Sequence, residues 1–235
     1  MKGSDGPGLH STALRLFSGL AGTYDAVVDL ATMYQDRRWK EWVRSQMPPE
    51  GGGLTLDVGC GTLLLERRLA NGGRKFVGVD LSREMASAGR EKNLPNVELV
   101  VNGDAEALPF PDGAFDSVVS CYVAKYVAVE VLARELWRVA KPGAAIVLYD
   151  FAKPMGMLSP FIGAYIRGGL GVAGLLARLA DLEVAYTFTE LPKIIYGTEW
   201  DRELVPAMEA RGFETLTTGR LTGGVVFAYS GRKRG

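Results

Sequence analysis

Two carboxylates and two glycines hold the chemistry that this sequence offers first. Asp57 lies in the apolar run from Leu54 to Val58, Gly59 and Gly61 form the turn Gly59-Cys60-Gly61, and Asp80 closes the next apolar run, Lys75 to Leu81. Glycines at the carboxyl end of a buried strand let the backbone approach a ligand with no Cβ in the way. An acid at the tip of the following strand can accept both hydroxyls of a ribose. The set predicts an adenosine-type cofactor. A dinucleotide site also wants a third glycine three residues after the second, where a pyrophosphate rests on a helix N-terminus. Leu64 stands there instead. S-adenosylmethionine is cationic at sulfur and has no phosphate, so it does without that glycine, and Asp57 can face its charged amino-acid portion. A lone G-x-G could equally be a plain strand-to-helix turn; Asp57 and Asp80 together favour the cofactor.

These residues need a scaffold, and the pattern supplies one. Residues 1–13 are polar and glycine-rich and read as a flexible tail, which holds the sole histidine, His10. Residues 14–47 carry apolar side chains at helical spacing, among them Leu16, Leu20, Val27, Val28, Trp39 and Val43. Pro48, Pro49 and Gly51 to Gly53 end that segment. Strand and helix then alternate: a helix from Leu63 to Asn71, a helix N-capped by Ser82, a strand from Val97 to Val101, a strand from Ser117 to Tyr122, a helix from Val129 to Ala140 and a strand from Ala145 to Phe151. Alternation with short links predicts an α/β, Rossmann-like domain whose parallel sheet has helices on both faces. Its crevice lies at the carboxyl ends of the strands, which gathers Asp57, Asp80, Asp104, Tyr122 and Asp150, with Thr62, Leu81 and Ala105 beside them. Residues 153–200 interrupt the alternation as an apolar, glycine-rich insertion, and Phe213 to Leu221 and Val225 to Ser230 close the domain through Thr222-Gly223-Gly224.

Composition narrows the partners. Lys plus Arg and Asp plus Glu both number 27, so no global basic field attracts nucleic acid. Cys60 and Cys121 sit in core-like contexts and suggest neither disulfide nor metal site. No signal peptide and no spanning apolar run is read, which predicts a cytoplasmic enzyme, peripheral to the inner membrane face at most.

Four blocks extend the reading to a family. FSGLAGTYDAVVDLATMYQDRRWK, LDVGCGT with VGVDLSREM, NGDAEALPFPDGAFDSVV with LWRVAKPGAAIVLYDFAKP, and AYTFTELPKI with LTGGVVFAYSG resemble the S-adenosylmethionine-dependent C-methyltransferases of ubiquinone and menaquinone biosynthesis. The resemblance spans nearly the whole chain. The second and third blocks are common to many methyltransferases of class I; the first and fourth are the specific ones. It implies a seven-stranded sheet with a reversed last hairpin, a prenylated hydroquinone as methyl acceptor, and a helical lid. Where that family has a third glycine this chain has Leu63, which is read as narrowing the floor under the methionine end. Lys125-Tyr126 replaces an Arg-Asn pair, Asp36 replaces a histidine, and Thr187 replaces an arginine.

Methyl transfer to a ring carbon needs two positioned reactants, water excluded, and a neighbouring phenol relieved of its proton. His10 in a tail is a poor base, so carboxylates and phenols remain: Asp150, Tyr126, Lys125 and Tyr24 as catalytic candidates, with Asp104 assigned to the adenine edge. Tyr186, Phe161, Thr222 and Gly223 are the expected acceptor contacts, and residues 154–177 an apolar lid that also allows transient contact with a membrane surface. A different acceptor methylated at oxygen or nitrogen, and a non-catalytic cofactor-binding subunit, are the rival readings; a homodimer is compatible with either.

Overall fold

The computed structural model describes residues 7–49, 53–70, 73–157, 159–170, 175 and 184–235. One seven-stranded sheet organises them, in the order β3-β2-β1-β4-β5-β7-β6. The strands are β1 (Leu54–Val58), β2 (Lys75–Asp80), β3 (Val97–Asn102), β4 (Phe115–Cys121), β5 (Ala140–Phe151), β6 (Phe213–Leu221) and β7 (Val226–Lys233). The first five run parallel, and β7 is antiparallel to both β5 and β6. Chain order reverses between β1 and β4, which opens a crevice at the carboxyl ends of those two strands.

The central strands are covered on both faces and are therefore almost wholly apolar. Their side chains alternate between two cores. Val118 joins Leu132 and Leu136 of α6 (Val129–Val139) and Trp200, Leu204 and Met208 of the last helix, Trp200–Ala210. Val119 joins Trp39 and Val43 of α3 (Gln35–Gln46), with Tyr149 and Ile195. α5 (Arg83–Glu91) begins where Met85 N donates to the Ser82 hydroxyl at 3.2 Å, the cap that the sequence predicts.

The N-terminal segment departs from its reading. The stretch expected as a flexible tail is helical from Pro7: α1 covers Pro7–Ser18, followed by α2 (Tyr24–Ala31) and α3, with Met33 and Tyr34 at φ of 49° and 61° in the α2–α3 break. Proline is tolerated in the first turn of a helix, whose N–H has no intrahelical partner anyway. Ala13 and Leu16 then bury themselves against Tyr126 and Ile194, a tertiary gain that glycine content hides. The helix after β1, α4, is short, Leu64–Arg68, and Leu63 precedes it in the left-handed region at φ 61°. Asn71, the last residue of that predicted helix, lies outside the described residues, as does the turn at 50–52. β5 is longer than expected because Ala140 pairs with Phe115.

In the 153–200 insertion, the described residues form α7 (Ser159–Ala164), a π-helical turn Tyr165–Gly169, and α8 (Val184–Gly197); the lid residues 158, 171–174 and 176–177 lie outside the described set. The helix Trp200–Ala210 is α9. Among the described residues no helix is long and apolar enough to cross a membrane.

Candidate active site

The turn after β1 is pre-set by its own hydrogen bonds. Gly59 N and Cys60 N both donate to Val79 O, at 2.8 and 3.1 Å. Asp80 accepts from Gly61 N and from Ser82 N, each at 2.8 Å. Gly59 and Gly61 have φ of 76° and 53°, and a Cβ on Gly59 would lie 2.1 Å from Val123 Cγ2. An ionised carboxylate has about four acceptor positions, so Asp80 keeps capacity for two further donors. Burial pushes its pKa up to about 6, against the two backbone donors, which leaves it ionised at neutral pH.

A cleft of about 80 Å³ starts at this turn. Gly59, Gly61, Asp80, Leu81, Asp104, Ala105 and Tyr122 all line it, with Tyr24 and Tyr126. The sequence anticipates the first seven of these as cofactor contacts and Tyr24 and Tyr126 as catalytic candidates. Among the described residues its basic lining residue is His10, 3.6 Å from Asp104 and 3.9 Å from Glu106. A ribose-type acid, a turn with no room for a Cβ and a described lining without lysine or arginine suit an adenosine cofactor that carries no phosphate. α1 covers the cleft: Ala13 and Phe17 line it, and Ser18 and Ser82 hydroxyls meet at 3.2 Å.

Two expected cofactor contacts stand elsewhere. The Thr62 hydroxyl donates to Asp25 at 2.5 Å and ties α2 to the turn. Asp57 is buried behind the turn, where its carboxyl meets that of Glu66, a residue that sequence reasoning passed over. Burial raises both acids, Asp57 to about 7, and the neighbouring Asp57 carboxyl raises Glu66 further, so the pair leans toward holding a proton. The signal for Glu66 was available: a glutamate directly after Leu64 and Leu65, in the first turn of a buried helix. Leu63, read as narrowing the floor of the cofactor site, is not part of the cleft wall; it is buried with Cys60, Ala86 and Val100.

Beside the cleft is an apolar cavity of about 370 Å³. Leu20, Val28, Trp39, Phe151, Ile166, Leu191 and Ile195 line it, and α2, α3, α7 and α8 enclose it. Phe17, Tyr24, Tyr122 and Tyr126 belong to both spaces and form the wall between them. Phe17 meets Tyr24 and Tyr126 edge-on, with centroids 6.1 and 5.6 Å apart. Phe161 stands at the mouth, 76% exposed. Thr222 lines the cavity and accepts from Trp39 Nε1 at 2.8 Å, so that Trp39 of the helical apolar pattern also shapes this space. Gly223 lies in a shallow outer groove with Arg38 and Trp42. Tyr186 lines neither space; it packs on the α1 cluster, under the Arg15 guanidinium at 4.6 Å.

Polar groups under the dividing wall are few and buried. Lys125, one of the catalytic candidates of the sequence, is buried, ion-paired with Asp150, and donates to Tyr122 O at 3.1 Å. Burial pushes the ammonium down and the carboxyl up, so both lean toward neutral forms. Lys125 borders the large cavity; Asp150 borders neither space and acts only through it. The Tyr126 hydroxyl is buried and has no hydrogen-bond partner among the described residues, and burial raises Tyr24, Tyr122 and Tyr126 well above the usual phenol range. A second network was missed altogether. Asp36 accepts from Lys40 at 2.5 Å, from Tyr122 at 2.7 Å and from Tyr149 at 3.1 Å.

An adenosine-type cleft set on a parallel sheet with a reversed final strand is the hallmark of class I S-adenosylmethionine-dependent methyltransferases, and this chain is one of them. A family model described as a methyltransferase domain matches residues 56–148. A demethylmenaquinone methyltransferase of Roseiflexus sp. is 33% identical over 232 residues, covering 94% of this chain and 93% of its own. The protein therefore belongs to the family of quinone-biosynthesis C-methyltransferases that the four sequence blocks imply. Among solved structures, the [4+2]-cyclase SpnF superposes with a TM-score of 0.68 at 16% identity, covering 99% of each chain. A methyltransferase of Thermotoga maritima gives 0.62 at 18%, covering 94% of this chain and 99% of its own. At those identities the likeness speaks for the fold alone.

Proposed function

We propose that this enzyme methylates a ring carbon of a prenylated demethylquinol, of the type named for its demethylmenaquinone methyltransferase relative. One observation carries the reading: the cofactor cleft and a larger apolar cavity share the wall of Phe17, Tyr24, Tyr122 and Tyr126. A hydroquinone head seated at that wall faces the cofactor, while its isoprenoid tail fills the cavity behind.

When bound, the sulfonium of S-adenosylmethionine supplies a methyl group that needs no further activation. Asp80 holds the ribose hydroxyls, and Asp104 with Ala105 holds the adenine edge. Asp57, close behind the turn, favours the cationic methionine end with the charge that its pair with Glu66 retains. Tyr24 and Tyr126 orient the hydroquinone head, and Lys125, paired with Asp150, donates a hydrogen bond to the oxygen that ionises. The apolar walls exclude water, which strengthens each of these interactions.

The mouth of the cavity supports a peripheral membrane contact. Met33 and Phe161 stand on its rim, 61% and 76% exposed, and Leu30 is 71% exposed on α2. An isoprenoid acceptor leaving a bilayer passes this apolar rim first. Co-sedimentation with phospholipid vesicles reads the contact; a protein that stays wholly in the supernatant contradicts it.

Mass spectrometry of quinones from cells with and without the gene tests the function. A quinone lighter by one methyl group in the deletion supports the proposal. An unchanged quinone pool overturns it.

A further inference from the structure

We infer that Tyr122 and Asp36 form the route by which the acceptor hydroxyl loses its proton: Tyr122 touches the acceptor, and Asp36 is the positioning residue that receives the proton behind it. The inference rests on the hydroquinone reading above and concerns the same site.

Tyr122 is built into place with unusual force. It follows β4 at φ 67°, a region that bulky residues avoid and that marks functional positions when the surroundings enforce it. Its ring stacks on Phe151 with centroids 5.1 Å apart and lines both the cofactor cleft and the apolar cavity. Its hydroxyl donates to Asp36 Oδ1 at 2.7 Å. Asp36 itself is fully buried, so a proton delivered there is shielded from water. The groups facing Asp36 are Lys40 on its own helix at 2.5 Å, Tyr149 on β5 at 3.1 Å, Arg68 on α4 at 3.6 Å and Tyr122; Tyr24 acts on it at longer range.

The step balances without any added reagent but water. The acceptor O–H proton passes to the Tyr122 oxygen while the Tyr122 proton passes to Asp36. The ring carbon beside the new phenolate then uses its electron pair to bond the methyl carbon, and the carbon–sulfur electrons return to sulfur. The ring carbon next loses its hydrogen to water as the electrons restore aromaticity. The oxygen recovers its proton from Asp36 by the same route, so one proton in total reaches solvent. Negative charge is moved from Asp36 to the acceptor oxygen rather than created in a buried site, and Lys40 remains close to both positions. That is less costly than ionising a phenol beside a carboxylate that keeps its charge.

Three enzymes test this, wild type, Asp36→Asn and Tyr122→Phe, together with the double variant. Each is assayed on a singly prenylated demethylnaphthohydroquinone across pH 6 to 10, with S-adenosylmethionine affinity measured by calorimetry in parallel. The expected result is a loss in kcat of about 100-fold or more at neutral pH for each single variant, in the range for general base catalysis. Cofactor affinity stays within about twofold, and the variants' rates climb with pH as the acceptor ionises in solvent. The double variant is no slower than either single one, since both remove one route. An acceptor made more acidic by fluorine narrows the gap between wild type and Asp36→Asn. Variants that keep the wild-type pH profile, or whose losses multiply in the double variant, overturn the inference and leave Asp36 a structural residue. Wild type that binds the cofactor but leaves the hydroquinone unmethylated defeats the acceptor reading instead.

Discussion

Asp80 carries two duties at once. It fixes the glycine turn through Gly61 N and Ser82 N, and it presents its remaining lone pairs to the cofactor cleft. Hydrogen bonds to a charged group contribute about 1.5 to 3 kcal/mol. Asp80→Ala is therefore expected to weaken S-adenosylmethionine binding at least about tenfold by calorimetry; unchanged affinity would place the ribose elsewhere. Asp57 and Glu66 make a different kind of prediction. Burial raises Asp57 from 3.8 to about 7 and Glu66 in the same direction. The native state then keeps protons that the unfolded chain releases near pH 4, and stability falls as pH rises through that window. The contribution is full below about pH 3.8 and lost above about pH 7. Asp80, raised to about 6, pulls in the same direction. The melting temperature without cofactor should drop between pH 5 and pH 8, and Glu66→Gln should flatten the drop. An equal slope in the variant would show that the pair shares no proton. At this scale the sequence was legible where function follows backbone position. Gly59, Gly61, Asp80, Leu81 and Asp104 are fixed by the strand tips that they occupy. Thr62 and Tyr186 lie away from their expected contacts because a side chain's direction is not written in its neighbours. Asp36 meets Tyr122 and Tyr149 across 86 and 113 residues of chain, a pairing that no local pattern announces.

Among the elements, α1 changes most between sequence and structure. Its glycines and proline read as a tail, whereas its buried face lies on Tyr126 and Ile194, and the Thr187 hydroxyl donates to Leu16 O at 3.0 Å. Thr187, the residue that departs from the family arginine, thus anchors a helix that covers the cofactor cleft. Leu16 is 1% exposed, and a buried, unpaired carboxylate in its place is costly enough to detach a short helix. Leu16→Asp should speed S-adenosylmethionine dissociation by about an order of magnitude in stopped flow while the seven-stranded core keeps its cooperative melt, because local opening draws on the least stable segments. An unchanged dissociation rate would mean that α1 does not cover the entry path. The sheet elements were legible because alternating strands and helices leave a strong periodic signal. α4 was over-read, since Leu63 takes a left-handed conformation that stops the helix from starting there.

The whole molecule is two spaces sharing one wall. The cleft holds polar groups at strand tips, the cavity of about 370 Å³ is apolar, and α2, α3, α7 and α8 close over it. This division matches the two halves of the proposed reaction, a polar cofactor and a greasy acceptor, which meet at Tyr24, Tyr122 and Tyr126. Burial of an acceptor tail contributes about 0.8 kcal/mol for each methylene taken from water, so affinity should climb with tail length until the cavity is full. The decisive measurement is kcat/KM for S-adenosylmethionine-dependent C-methylation of demethylnaphthohydroquinones that carry zero, one, two and three isoprene units. The expected result is a rise of at least about tenfold with the first unit, a further rise with the second and a plateau after that, with the new methyl on carbon in every product. An unprenylated acceptor that turns over as well as any prenylated one, or a product methylated at oxygen, would contradict the account.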